Sequence, residues 1–219
     1  MMAILHSEWL KIRHSYAVLF LVGFSLLEYV TIPAYLAFVP SSYALEVAIY
    51  FPMLANCLVY TIISILLVEQ ESQANHFQYI RSEAHSWCLW GAKFVLVDGL
   101  SLLPTVMLWW FIATFVYKDI PYLVIGLASW GFTIFVYHVH LLLSLFLAKG
   151  VNFAVAFVEC LLVLFASNRT FLGHYWCPIV LPANFIMTLD RSYLLTLWCW
   201  IVGMTCVALC LMHVKRYRV

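Results

Sequence analysis

Four stretches of this sequence, residues 47–68, 99–117, 120–148 and 192–214, contain no Asp, Glu, Lys or Arg. A helix needs about 20 apolar residues to cross the hydrocarbon of a bilayer, and each stretch meets that length. Two further stretches are interrupted once each, residues 14–45 by Glu28 and residues 150–168 by Glu159. A single acid is tolerated in a spanning helix that turns it toward other protein. The expectation is an all-α bundle of six spans near 16–38, 46–68, 94–117, 121–147, 150–167 and 193–213, forming one transmembrane domain over residues 1–219.

Composition supports that solvent assignment. Of the 219 residues 66% are hydrophobic and 10% charged, whereas a soluble domain is typically about one-quarter charged. No linker, repeat or low-complexity tract divides the chain. The formal net charge is +1 and the eleven basic residues are scattered, so nothing resembles the concentrated cationic face that binds nucleic-acid phosphates. The seven cysteines have neither paired metal-ligand spacing nor the pattern of a secreted disulfide framework. His138 and His140 are separated by one residue, which turns their rings to different faces of a helix and disfavours a shared metal. His-Glu-x-x-His and Gly-x-Ser-x-Gly patterns are absent.

Lys and Arg are retained on the cytoplasmic side of a membrane. With both ends inside, the inner segments hold Lys11, Arg13, Arg81, Lys93, Lys149, Lys215, Arg216 and Arg218, against Lys118, Arg169 and Arg191 outside. That bias sets the expected orientation. No small-residue cleavage site follows the first apolar run, so no removable signal peptide is expected. Pro33, Pro52 and Pro104 should kink their spans.

Two polar segments keep helical periodicity without being spans. Over residues 2–15 the apolar Leu5, Trp9, Ile12 and Tyr16 recur at steps of three or four, with Glu8 and Lys11 on another face. That is a surface helix, which either anchors the first span or receives force from the cytoplasm. Residues 69–88 place Ala74, Phe77, Ile80, Ala84 and Trp87 on one stripe of a polar helix. The stripe suits docking on a partner, or rest on the membrane and neighbouring helices.

The run Ser7-Glu8-Trp9-Leu10-Lys11-Ile12-Arg13-His14-Ser15 resembles the N-terminal elbow of six-span ABC-exporter permeases. Glu69-Gln70-Glu71 followed by Ala74-Asn75-His76-Phe77-Gln78 is similar to the inner loop of the lantibiotic-immunity branch, whose members often carry Gly where this chain has Ala74. The resemblance implies a permease subunit in a bacterial plasma membrane, paired with a second six-span subunit and two copies of a separate ABC ATPase. Glu69, Glu71, Asn75, Phe77 and Gln78 would then form or flank the helix coupled to the ATPase, with Glu8 and Lys11 on the elbow beside it. The chain has no G-x-x-x-x-G-K-[ST] loop, so ATP and Mg are expected in the partner and no cofactor on this chain.

Glu28, Asp98 and Glu159 fall inside expected spans, where a charged carboxylate costs about 2.5–3.5 kcal/mol. They would line a path for a cationic peptide, bond between helices or across an interface, or simply take up a proton as burial raises the carboxyl pKa. The function expected is ATP-driven export of a lantibiotic-type peptide, without covalent chemistry on this chain. Export of another drug or lipid keeps the same mechanism. An intramembrane enzyme using Asp98, Glu159 or His138, and a passive channel, are rivals of other classes.

Overall fold

A computed structural model describes residues 2–39, 41, 43–75, 86–116, 120–166, 168 and 170–215. Among these the chain is helical and contains no strand. The helices are α1 Met2–Ile12, α2 Tyr16–Phe38, α3 Ala44–Asn75, α4 Ser86–Leu100, α5 Leu108–Phe115, α6 Tyr122–Phe146, α7 Lys149–Leu164, α8 Leu181–Thr188 and α9 Arg191–Lys215. The expected Phe77 and Gln78, and the side chain of Asn75, lie outside the described residues.

Five helical segments are long and apolar enough to cross a membrane: Tyr16–Phe38, Ala44–Gln73, Trp87–Phe115, Tyr122–Phe146 and Arg191–His213. All-helical spans follow from the solvent, because hydrocarbon offers backbone groups no partner and a helix satisfies its own. The remaining apolar stretch forms α7, which is 16 residues long. At 1.5 Å per residue it rises about 24 Å, short of the roughly 30 Å hydrocarbon core.

Local chemistry explains several boundaries. Ser15 separates α1 from α2 and caps the latter, its hydroxyl accepting from the Val18 amide at 3.3 Å. Pro104 lacks an amide hydrogen, and here the third crossing widens into a π turn, Leu103–Met107, with the Met107 amide bonding the Leu102 carbonyl at 3.0 Å. By contrast, α2 and α3 continue through Pro33 and Pro52.

Residues 69–75 are not a separate helix: they are the last two turns of α3. The run from Glu69 to Asn75 becomes polar but contains neither Gly nor Pro. Its change of composition therefore changes what surrounds the helix rather than its backbone.

Helices α3 and α6 form the centre. Met53, Cys57, Tyr60, Ile63 and Leu67 of α3 are buried, and α6 is buried along most of its length from Ile125 to Leu142. Helices α2, α7 and α9 surround them and expose Leu19, Leu27, Val30, Phe157, Leu161, Leu195 and Val202, as a lipid-facing layer does. Gly126 and Gly131 bring α6 close to the π turn and to α9. A Cβ at Gly126 would stand 3.0 Å from the Val106 Cα, and one at Gly131 3.0 Å from Leu197 Cδ2.

Candidate functional site

Two polar constellations stand out against this apolar background. The first is at the end of the bundle where α3 finishes and α4 starts. Lys93, in the second turn of α4, is 1% exposed. Its ammonium lies 2.5 Å from Glu8 Oε2 on α1 and 2.6 Å from Glu71 Oε1 on α3. Lys11 donates to Glu8 Oε1 at 2.7 Å and stands 3.9 Å from Glu71 Oε1. Gln70 Nε2 donates to the Lys11 carbonyl at 3.0 Å.

Two ammonium groups thus balance two carboxylates, and each buried charge has an opposite charge within contact distance. Burial makes such a pair costly to break, because one partner left alone is an uncompensated charge in a poor solvent. The knot fastens α1, the polar extension of α3 and the start of α4 into one body. Glu69, on the same extension, pairs with Lys149 at the start of α7. The polar turns of α3 are therefore tied to three other helices.

The expected Glu8, Lys11 and Glu71 belong to this knot, and the expected Glu69 makes the separate pair with Lys149. Lys93 was legible only as an orienting charge, because nothing in the order of residues tells that it will meet Glu8, 85 positions earlier. The Lys149 pairing was hidden for the same reason.

The second constellation lies within the spans. His138 Nε2 is 3.1 Å from Asp98 Oδ2, and its Nδ1 is 2.8 Å from Thr205 Oγ1. His140 Nε2 is 2.7 Å from Glu159 Oε2, and its Nδ1 is 2.6 Å from Asn152 Oδ1. The two rings do reach different neighbours, α4 and α9 for His138 and α7 for His140. Two of the three expected acids are thereby engaged between helices.

The hydrogen bonds assign protons. Asn152 Nδ2 donates to the His140 carbonyl and to Ser144 Oγ, which leaves Oδ1 to accept, so His140 Nδ1 carries a hydrogen. Thr205 Oγ1 donates to the Ile201 carbonyl at 2.7 Å and accepts from His138 Nδ1. In both pairs one proton must then lie between Nε2 and the carboxylate, and the pair is neutral whichever atom holds it. Thr205, His138 and Asp98 form a line, yet the Thr205 hydrogen points away from the ring. That is not the arrangement of an activated nucleophile, whose hydroxyl hydrogen faces the base.

Glu28, the third expected acid, is brought to neither pair. It is buried on α2, and neither of its oxygens has a partner among the described residues. No group of three or more His, Cys, Asp or Glu suited to a metal ion occurs among the described residues. No protein-family model, curated protein or solved structure matches the chain.

Proposed function

We propose that this chain is the permease subunit of an ATP-driven exporter of the six-span ABC type, expelling a lantibiotic-type cationic peptide from a bacterial plasma membrane. Five crossings are the apolar helices described above. Helix α7 with the turns that follow it supplies the sixth, and both ends lie in the cytoplasm, as the distribution of Lys and Arg favours. A second six-span subunit and two copies of an ABC ATPase complete the assembly, with ATP and Mg bound by the ATPase.

The observation that carries this reading is the Glu8–Lys93–Glu71 knot. A lever requires a stiff attachment, and here the polar end of α3 is joined by buried ion pairs to a surface helix and to the next span. A push on residues 76–85 from the cytoplasm would move α1, α3 and α4 together rather than bend one loop. The peptide cargo rests on the resemblance of the segment from Glu69 to Gln78; the same lever serves a drug or lipid cargo.

The rival enzyme built on Asp98, Glu159 or His138 has less support, since both histidines already hold a hydrogen on Nδ1 and share the other with a carboxylate. A passive channel has no use for a lever. Copurification tests the reading: the tagged chain, extracted in mild detergent from its native host, should bring down an ABC ATPase in roughly stoichiometric amount. Recovery without any ATPase, with ion flux or bond-cleaving activity from the chain alone, would overturn it.

A further inference from the structure

The start of α3, the start of α6 and helix α8 surround a cleft of about 350 Å³, within the range of about 300–1,000 Å³ typical of small-molecule sites. Its lining passes from Ile125 and Ala183, which are fully buried, to Glu46, Met187 and Leu189, which are exposed. The cleft therefore has an apolar floor and an open mouth. Among the described residues that line it Glu46 alone is charged, and no described residue forms an ion pair with it. Tyr50 follows Glu46 by one turn of α3, so the two share a face of that helix. The Tyr50 hydroxyl donates to Met187 Sδ at 3.0 Å, which ties α3 to α8 beside the cleft.

Leu189 stands in an unusual backbone conformation. It ends α8 with φ 56° and ψ 18°, the left-handed region. Helices that finish this way mostly do so on glycine, and a bulky residue there is an outlier. The Leu189 amide bonds the Phe185 carbonyl at 2.7 Å, a contact that a glycine amide would make equally well. What glycine lacks is the side chain, and that of Leu189 lines the cleft. Leu189 is 57% exposed, so packing within the chain is a poor reason for keeping a leucine there. Backbone strain of this kind clusters at ligand clamps.

The apolar floor alone would accept any apolar molecule, and the lone carboxylate sets the sign of charge. A carboxylate makes its strongest hydrogen bonds to charged donors, and an aromatic neighbour favours a cation as well. A divalent metal ion needs more oxygens than this lining offers. We propose that Glu46, Tyr50 and Leu189 form a binding site for an amphiphilic organic monocation, with its ammonium group on Glu46 and its apolar body against Ile125 and Ala183. Glu71 of the knot follows Glu46 by 25 residues on α3 (71 − 46), about 37 Å of helix. The site is thus remote from the knot, and its occupancy does not depend on the exporter reading.

The test uses the full chain in a non-ionic detergent and equilibrium dialysis of radiolabelled 4-phenylbutylammonium, corrected for uptake by the detergent alone. Neutral 4-phenylbutanol and anionic 4-phenylbutyrate serve as competitors of the same apolar body. One cation should bind saturably per chain, with the alcohol competing at least about tenfold less well and the carboxylate less well still, because hydrogen bonds between charged groups are the stronger ones. Glu46→Gln should weaken the ammonium about tenfold and leave the alcohol unchanged, a split that general loss of structure would not produce. Leu189→Gly should weaken both ligands while the unfolding temperature holds or rises, since glycine adopts positive φ freely; it carries the test if the Gln variant does not fold. Uptake no greater than that of the detergent, equal competition by the alcohol, or unchanged ammonium binding in a folded Glu46→Gln or Leu189→Gly chain would overturn the proposal.

Discussion

Lys93 Nζ lies 2.6 Å from Glu71 Oε1, a buried contact that joins the first turns of α4 to the last turns of α3. The same ammonium reaches Glu8 on α1 at 2.5 Å. Removing this one side chain would leave two carboxylates at 1% and 6% exposure without their shared partner.

Lys93→Ala is therefore expected to cost about 3–5 kcal/mol, the range for breaking a buried ion pair from one side. Combining it with Glu8→Gln and Glu71→Gln should recover part of that loss, because the stranded charges are removed as well. Denaturant titration of the detergent-solubilised chain measures both. A Lys93→Ala chain as stable as the parent would mean that the knot is hydrated and slack.

His140 bonds two side chains of α7 at once. Replacing it with Phe leaves Asn152 Oδ1 and Glu159 unpaired in the interior, and about 1–3 kcal/mol of stability should be lost. Glu159→Gln keeps a hydrogen bond to the ring and should cost less. Hydrogen exchange over residues 149–164 should rise in the Phe variant before exchange elsewhere does.

Gly126 and Gly131 differ in what an added methyl would meet. At Gly126 it meets the backbone of Val106, at Gly131 the tip of the Leu197 side chain. Gly126→Ala is expected to destabilise by about 1–3 kcal/mol, as overpacking does, and Gly131→Ala by less, because a side chain turns aside more easily than a helix moves. Thermal unfolding of the two single variants gives the order.

Asp190 precedes α9 and accepts from the Ser192 amide at 2.9 Å. Hydrogen bonds from the Ser192 backbone and hydroxyl hold its carboxyl below the ordinary aspartate value. A lowered folded value means that this cap stabilises fully above the unfolded aspartate range and fades as pH falls through the folded one. Asp190→Asn should flatten that acidic limb of the stability profile while leaving neutral pH little changed; an unaltered limb would remove the cap from the account.

Phe77 lies on the apolar stripe of the segment expected to meet an ATPase. Phe77→Asp should abolish copurification of the ATPase and lower peptide resistance of the host, while the chain still inserts in the membrane. Unchanged resistance would remove the docking role from this segment.

The spans were legible because their signal is local. Each charge-free stretch is a run of neighbours, and the structure places a helix on every one of them. Polarity changes at Glu69, but no breaker stands there and α3 runs on to Asn75. The 150–168 stretch passed a count of apolar residues, but the helix on it stops at Leu164.

Pairings were the illegible part. Lys93 with Glu8, His138 with Asp98, and Lys149 with Glu69 join residues 85, 40 and 80 positions apart, and no periodicity records a partner at that distance. The acids themselves could be singled out, since a carboxylate inside an apolar run is anomalous wherever it pairs. Which of them would stay unpaired depended on the packing of α2 against α3, and only the folded chain shows that it is Glu28.

Because Glu8 is translated 85 residues ahead of Lys93, α1 cannot be locked when it leaves the ribosome. At about 5–20 residues per second, the wait is about 4 to 17 s. Throughout that interval Glu8 must be kept in water or shielded by an insertion factor. The clasp shuts only once α2 and α3 have been threaded, so a nascent chain stalled before α4 would carry an unfastened α1.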